Sequence, residues 1–279
     1  MTRQTQKRIL DAFTYALLIL GAITMLGPFL WMISTSLKFP ADQFTRTLIP
    51  PTFTLQNYRD LFAVDIDFPL LFFNSTYISL LITVGQILTC AMAAFCFAVV
   101  RFKGRGLLFT LLLVTMMLPA QVTLIPNFII FSSLGIVGTS IPLWMPAFWG
   151  GAFGTFLLRQ YFLTIPRDLV DAARMDGASL FQIFWKVYLP LSKPALAALA
   201  IFTFKDAWND LLHPLIYLPG VPHTTLTVGL AFFNQQILQG GKFTVLMAGA
   251  FISILPLVIV FFVAQKQFIE GIALGGFRR

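Results

Sequence analysis

The chain has 279 residues, of which 58% are hydrophobic and only 11% charged, with 31 Phe and a mean hydropathy of +0.84. Soluble domains average about 45–50% apolar and about 25% charged residues, so the composition excludes a pair of water-soluble domains and points to lipid as the main solvent. The net charge of +8 comes from residues dispersed between apolar runs, with no basic face to track phosphates, which argues against nucleic acid as a partner.

A helix needs about 20 mostly apolar residues to cross about 30 Å of hydrocarbon. The first candidate span, Ala12–Leu37, follows Arg3, Lys7 and Arg8. It exceeds the roughly 7–15 residues of a signal-peptide core and no small-x-small site follows, so it reads as a retained helix with Trp31 near the outer interface. An outer loop rich in Pro, Thr and Asp, Phe39–Pro69, comes next. The second span, Leu70–Val100, carries Thr76, Ser79, Thr83, Gln86 and Cys90 in a stripe that suits helix packing better than solute contact. Cys90 and Cys96 read as small buried hydrophobes, with no disulfide framework or metal site. The third span, Leu107–Phe131, is interrupted by Pro119 and Pro126 beside Gln121 and Asn127. Non-helical backbone at depth is tolerated only inside protein or beside water, so this break fits a pore-lining kink. The fourth, Ile141–Leu158, is short and holds Gly150, Gly151 and Gly154 as close-packing positions; Ala195–Leu218 and Phe243–Ala264 complete the set.

Six spans place fourteen Lys and Arg on one side and four on the other, with Lys205 inside a span. The positive-inside rule then sets both termini in the cytoplasm.

The longest cytoplasmic segment, 159–193, is expected to form two short helices. Pro166 suits a first helical position, Asp168 in the first turn favours the helix dipole, and Gly177 stands where a C-terminus needs positive φ. Ser179 with Gln182 three residues on is a capping box for the second helix, expected to end at Leu189-Pro190. Leu169, Ala172, Ala173 and Asp176 share a face on which the alanines would let another surface approach. A helix that merely lies on the bilayer is the alternative.

Span five bears Asp206, Asn209, Asp210 and His213 at i, i+3, i+4 and i+7, one face of a continuous helix. Charges at the bilayer centre cost about 2.5–3.5 kcal/mol each on insertion scales and face a bundle interior or wet cavity. Two readings stand equally: a solute path whose carboxylate and amide groups accept sugar hydroxyls, or an ion pair locking two subunits. Lys205 is expected to seek a carboxylate on another helix, Asp206 being poorly placed on its own.

The spaced motif Asp171-Ala172-Ala173, Gly177, then Val187-Tyr188-Leu189-Pro190 resembles the signature loop of ABC importer permeases, with Asp171 for Glu and Val187 for Ile. Further stretches resemble the carbohydrate, maltose-type members: Pro28–Trp31 through Ser36–Lys38, Asn57-Tyr58, Leu61-Phe62, Asn74-Ser75, Gln121–Pro126, Trp208–Asp210 and the tail Gln265–Gly271. The resemblance implies an all-α membrane protein with a six-helix type I importer transmembrane domain. It divides the chain into a first helix and outer loop (1–66), a core (67–266) and a cytoplasmic tail (267–279). It also implies a multi-pass protein of a bacterial or archaeal inner membrane and assigns ATPase coupling to Asp171, Ala172, Ala173, Gly177, Val187, Leu189 and Pro190. Gln121 joins Asp206, Asn209, Asp210 and His213 as candidates for the path of a sugar. The implied partners are a second permease of different sequence, a cytoplasmic ATPase dimer that holds ATP and Mg, and an external solute-binding protein.

No Gly-x-x-x-x-Gly-Lys-Ser/Thr loop is present, so ATP hydrolysis is expected on that separate subunit. There is also no Ser/His/Asp set and no His-Glu-x-x-His; the histidines are His213 and His223. The competing expectation is a proton-driven secondary transporter using Asp206, Asp210 and His213.

Overall fold

The computed structural model describes residues 3–63, 67–220, 224–238 and 242–276, and contains no β-strand among them. His223, Arg278 and Arg279, with the side chains of the tail from Lys266 onward, lie outside the described residues. Four helical segments are long and apolar enough to cross a membrane, or six if each of two bent pairs counts as one span.

Helix α1 runs Arg3–Ser36, α2 Gln56–Ala63 and α3 Phe68–Ala98. The third apolar stretch is two helices, α4 (Arg105–Thr115) and α5 (Ala120–Ser133), bent by 95°. Pro119 caps α5, while Pro126 lies inside α5 without ending it. The expected break is therefore single. Ring closure removes the N–H of Pro126, but α5 continues through that position.

The fourth stretch is α6 (Ile141–Trp144), a 3-10 segment Met145–Trp149, and α7 (Ala152–Phe162). Then follow α8 (Asp168–Met175), α9 (Leu180–Ile183), a π-helical turn Phe184–Tyr188 and α10 (Leu189–Leu191). A 78° bend leads into α11 (Lys193–Trp208), followed by α12 (Leu212–Tyr217), α13 (Leu226–Leu238) and α14 (Phe243–Gly276).

The chain divides into two compact units. In the first, residues 1–68 with 230–254, the end of α1 is tied down by polar groups. Asn57 is fully buried; its Nδ2 donates to Ser36 O at 2.8 Å and Lys38 O at 2.7 Å, and its Oδ1 accepts from Thr244 Oγ1 at 2.8 Å. Lys38, also fully buried, donates from Nζ to Thr45 O at 2.9 Å. Asn57→Ala would leave these acceptors and the Thr244 hydroxyl buried and unpaired, each costing about 1–3 kcal/mol. The purified variant is expected to melt several degrees lower, and an unchanged melting point would refute the network's structural role.

On the same unit Lys242 Nζ meets Asp60 Oδ2 at 2.6 Å, and Gln56 Nε2 reaches Asp60 Oδ1 at 2.7 Å. The Lys242 bond first, and the Gln56 bond second, hold the Asp60 carboxyl below its usual range. A depressed carboxylate pKa stabilises the fold above the unfolded value and loses that contribution as pH falls through the folded one. Asp60→Asn should therefore change stability little at neutral pH, as befits an exposed pair, and the difference from wild type should vanish under strong acid.

The second unit, residues 69–229 with 255–279, has an apolar core formed by Cys90, Ala91, Ala94 and Phe95 of α3 with Leu158 and Phe162 of α7. Ile183, Phe184, Tyr188 and Leu199 complete it. Close approach of α3 and α7 requires Gly154, where an added Cβ would stand 2.8 Å from Cys90 Sγ and 3.1 Å from Leu199. Ser79 and Thr83 are buried in the packing, as the stripe on span two suggested. Cys96, against expectation, is exposed while Cys90 is buried.

Candidate functional site: a coupling elbow and a polar cavity

The elbow forms as its local sequence dictates. Arg167 is the N-cap of α8 and Asp168 lies in its first turn. Beyond α8, Gly177 takes φ +81°, and Ala178 N donates to Ala173 O at 2.9 Å, the paired bonds of a left-handed C-terminal stop. The capping box is complete: Ser179 N donates to Gln182 Oε1 at 2.8 Å and Gln182 N to Ser179 Oγ at 3.3 Å. The second helix does not end at Leu189-Pro190; it continues through the π turn to Leu191.

One side of the elbow is anchored. Val170 is 5% exposed, and Ala173, Ala178, Val187 and Leu189 pack against the core. Tyr188 sits between Phe95 and Phe162, with ring centroids 5.1 and 5.2 Å away, and burial raises its phenol pKa against the opposing pull of Arg167. The other side is bare: Leu169, Asp171, Ala172, Asp176 and Pro190 are exposed, Met175 is 88% and Phe181 68% exposed. The shared face expected for Leu169, Ala172, Ala173 and Asp176 therefore splits, because Val170 pulls its neighbour Ala173 inward. Val187 and Leu189 hold the elbow from beneath.

The polar stripe is corrected as well. Helix α11 ends at Trp208, so Asn209 and Asp210 lie in a turn and the four residues do not share one continuous helix. Asn209 caps that end, its Nδ2 donating to Lys205 O at 2.8 Å. Asp210 then starts the next segment: Oδ1 accepts from His213 N at 3.3 Å and Oδ2 contacts His213 Nδ1 at 2.8 Å. Lys205 Nζ lies 3.1 Å from Asp206 Oδ1, contrary to expectation; both side chains are largely exposed, and the long lysine stem folds back to its neighbour.

A cavity of about 620 Å³ nonetheless gathers Asp206, Asp210 and His213, together with Gln86, Asn127, Thr203 and Tyr217. Asn209 and Gln121 are not in its lining; Gln121 is exposed on α5. Thr203 lies one turn before Asp206 and was open to the same spacing argument; Tyr217, one turn after His213, carries no charge to draw notice. Among the described residues no group of three His, Cys, Asp or Glu is arranged to hold a metal.

Residues 86–273 match the family described as the binding-protein-dependent transport system inner membrane component. An arabinooligosaccharide transport permease of Halalkalibacterium halodurans is 37% identical over 254 residues, 89% of this chain and 90% of the relative. An sn-glycerol-3-phosphate transport permease of Yersinia enterocolitica is 32% identical over 273 residues, 95% and 97% of the two chains. A solved chain of a bacterial ABC transporter for the acidic polysaccharide alginate superposes with a TM-score of 0.82 at 27% identity, covering 96% of this chain and 99% of its own. The chain therefore belongs to the inner-membrane components of binding-protein-dependent transport systems, with the fold of a type I ABC importer permease.

Proposed function

We propose that this permease forms half of the translocation path of an ATP-driven importer for a sugar or related polyol. The observation that carries the coupling role is the elbow, anchored by Val170, Ala173, Val187 and Leu189 and bare at Leu169, Asp171, Ala172 and Met175. A rigid mount with a small-residue outer surface suits insertion into a cleft of a cytoplasmic ATPase dimer, which would hold ATP and Mg. Asp171, Ala172 and Gly177 then act at the contact, Pro190 at its margin, and the other motif residues transmit the motion.

Six spans with both termini cytoplasmic accord with the fourteen-to-four charge bias, each bent pair counting as one span. Residues 1–66 form the first helix and outer loop, 67–266 the importer core and 267–279 the tail, in a bacterial inner membrane. A second permease subunit completes the path, and an external binding protein delivers the solute. ATP-driven closure of the ATPase pulls on the elbow and rocks this subunit against its partner. The cavity at Asp206, Asp210 and His213 is the solute path on this side. The proton-driven alternative is set aside, since it leaves the elbow without a task.

Affinity purification of the tagged chain in mild detergent, wild type against Gly177→Asp, tests this. An ATPase should accompany the wild type and be lost or uncoupled in the variant. Absence of any ATPase even after crosslinking would refute the coupling role.

A further inference from the structure

Resting on the reading of this cavity as solute path, we infer that it selects by charge, accepting neutral hydroxyl-rich saccharides and turning away anionic ones such as uronates or phosphate esters. Its lining holds two carboxylates, Asp206 and Asp210, the amides of Gln86 and Asn127, and the hydroxyls of Thr203 and Tyr217, but no lysine or arginine. Lys205 adjoins Asp206 at 3.1 Å yet stays outside the lining. His213 is the single basic group there, and its Nδ1 is engaged by Asp210 at 2.8 Å, which leaves Nε2 as the ring's remaining polar atom.

Each sugar hydroxyl brings a donor, and the cavity is rich in acceptors. The aromatic rings of Phe131 and Tyr217, edge to face at 5.4 Å, add flat apolar surface for the C–H face of a sugar ring. A carboxylate or phosphate entering the same space sheds water without gaining a guanidinium or ammonium partner. It also meets like charge at both aspartates, a repulsion that grows as water is excluded. Such a lining would set this chain apart from relatives whose cargo is alginate or glycerol phosphate.

The test is equilibrium binding to the purified importer complex in nanodiscs, without binding protein, so that only the membrane path selects. The probes are arabinotriose, neutral, and trigalacturonate, of equal length and anionic. Wild type should bind trigalacturonate at least about tenfold more weakly, and Asp206→Asn with Asp210→Asn should narrow the gap to about twofold. Asp206→Glu with Asp210→Glu, which keeps both charges, should preserve it, and ATPase co-purification reports that each variant is assembled. Equal binding of both probes by wild type, or a gap that survives the Asn pair, overturns charge selection while the solute path stands. Failure of either probe to bind an intact complex overturns the path reading of the cavity, and the inference with it.

Discussion

Gly177→Val is expected to cut ATP-driven uptake by about 5–30-fold while the chain still reaches the membrane at normal levels. The reason is conformational rather than steric. No atom lies within 4 Å of a Cβ built at Gly177, but φ is +81°, and a left-handed backbone costs ordinary residues about 1–2 kcal/mol, equivalent to that fold-change. A β-branched side chain suffers most. Asn enters this region readily, so Gly177→Asn should retain most activity, with Gly177→Ala between the two. Uptake, membrane level and ATPase co-purification measured on the three variants would expose the order. Equal loss in all three would show that size at the contact, and not the backbone turn, governs coupling.

Tyr188→Ala should produce the largest loss of stability among single changes in the second unit. The ring is 2% exposed and packs against both Phe95 and Phe162, and deleting a buried aromatic costs about 3–5 kcal/mol. Tyr188→Phe keeps all ring contacts and should stay close to wild type. Thermal melting of the detergent-purified chain gives the stability, and limited proteolysis after Arg174 reports whether the elbow has come loose. If Tyr188→Ala melts as wild type does, the elbow is held by α8 alone.

Local signals in the sequence were legible wherever one residue's chemistry decides the backbone. Gly177, the Ser179–Gln182 box and the Pro119 break all act through their own φ angles or their own side-chain oxygens, and each stands where expected. Periodicity succeeded for long apolar helices such as α3 and failed in span five, because nothing in the run around Trp208 announces that α11 stops there. A helical wheel assumes continuity, and it placed Asn209 with the path. Asp210 and His213 reached the cavity by a different route, a side chain that caps the following segment. Gln121 was chosen for its nearness to a proline, whereas Asn127, one turn farther along α5, lies in the lining. Which side of a short amphipathic helix turns inward depends on distant partners, so the burial of Ala173 required Phe95 and Phe162 to be placed first.

The five residues Phe184–Tyr188 form a wide turn in which each carbonyl is reached one position later than in an α-helix. Deleting one residue there would let the segment relax to ordinary helix and swing everything after it by about 100°, the angle per residue. Leu189 would leave the core and Pro190 would enter it. Nine residues separate Gly177 from Val187, and that interval is a phase as much as a length. Insertions and deletions in this stretch should be tolerated only in compensating pairs, even where every individual substitution is accepted.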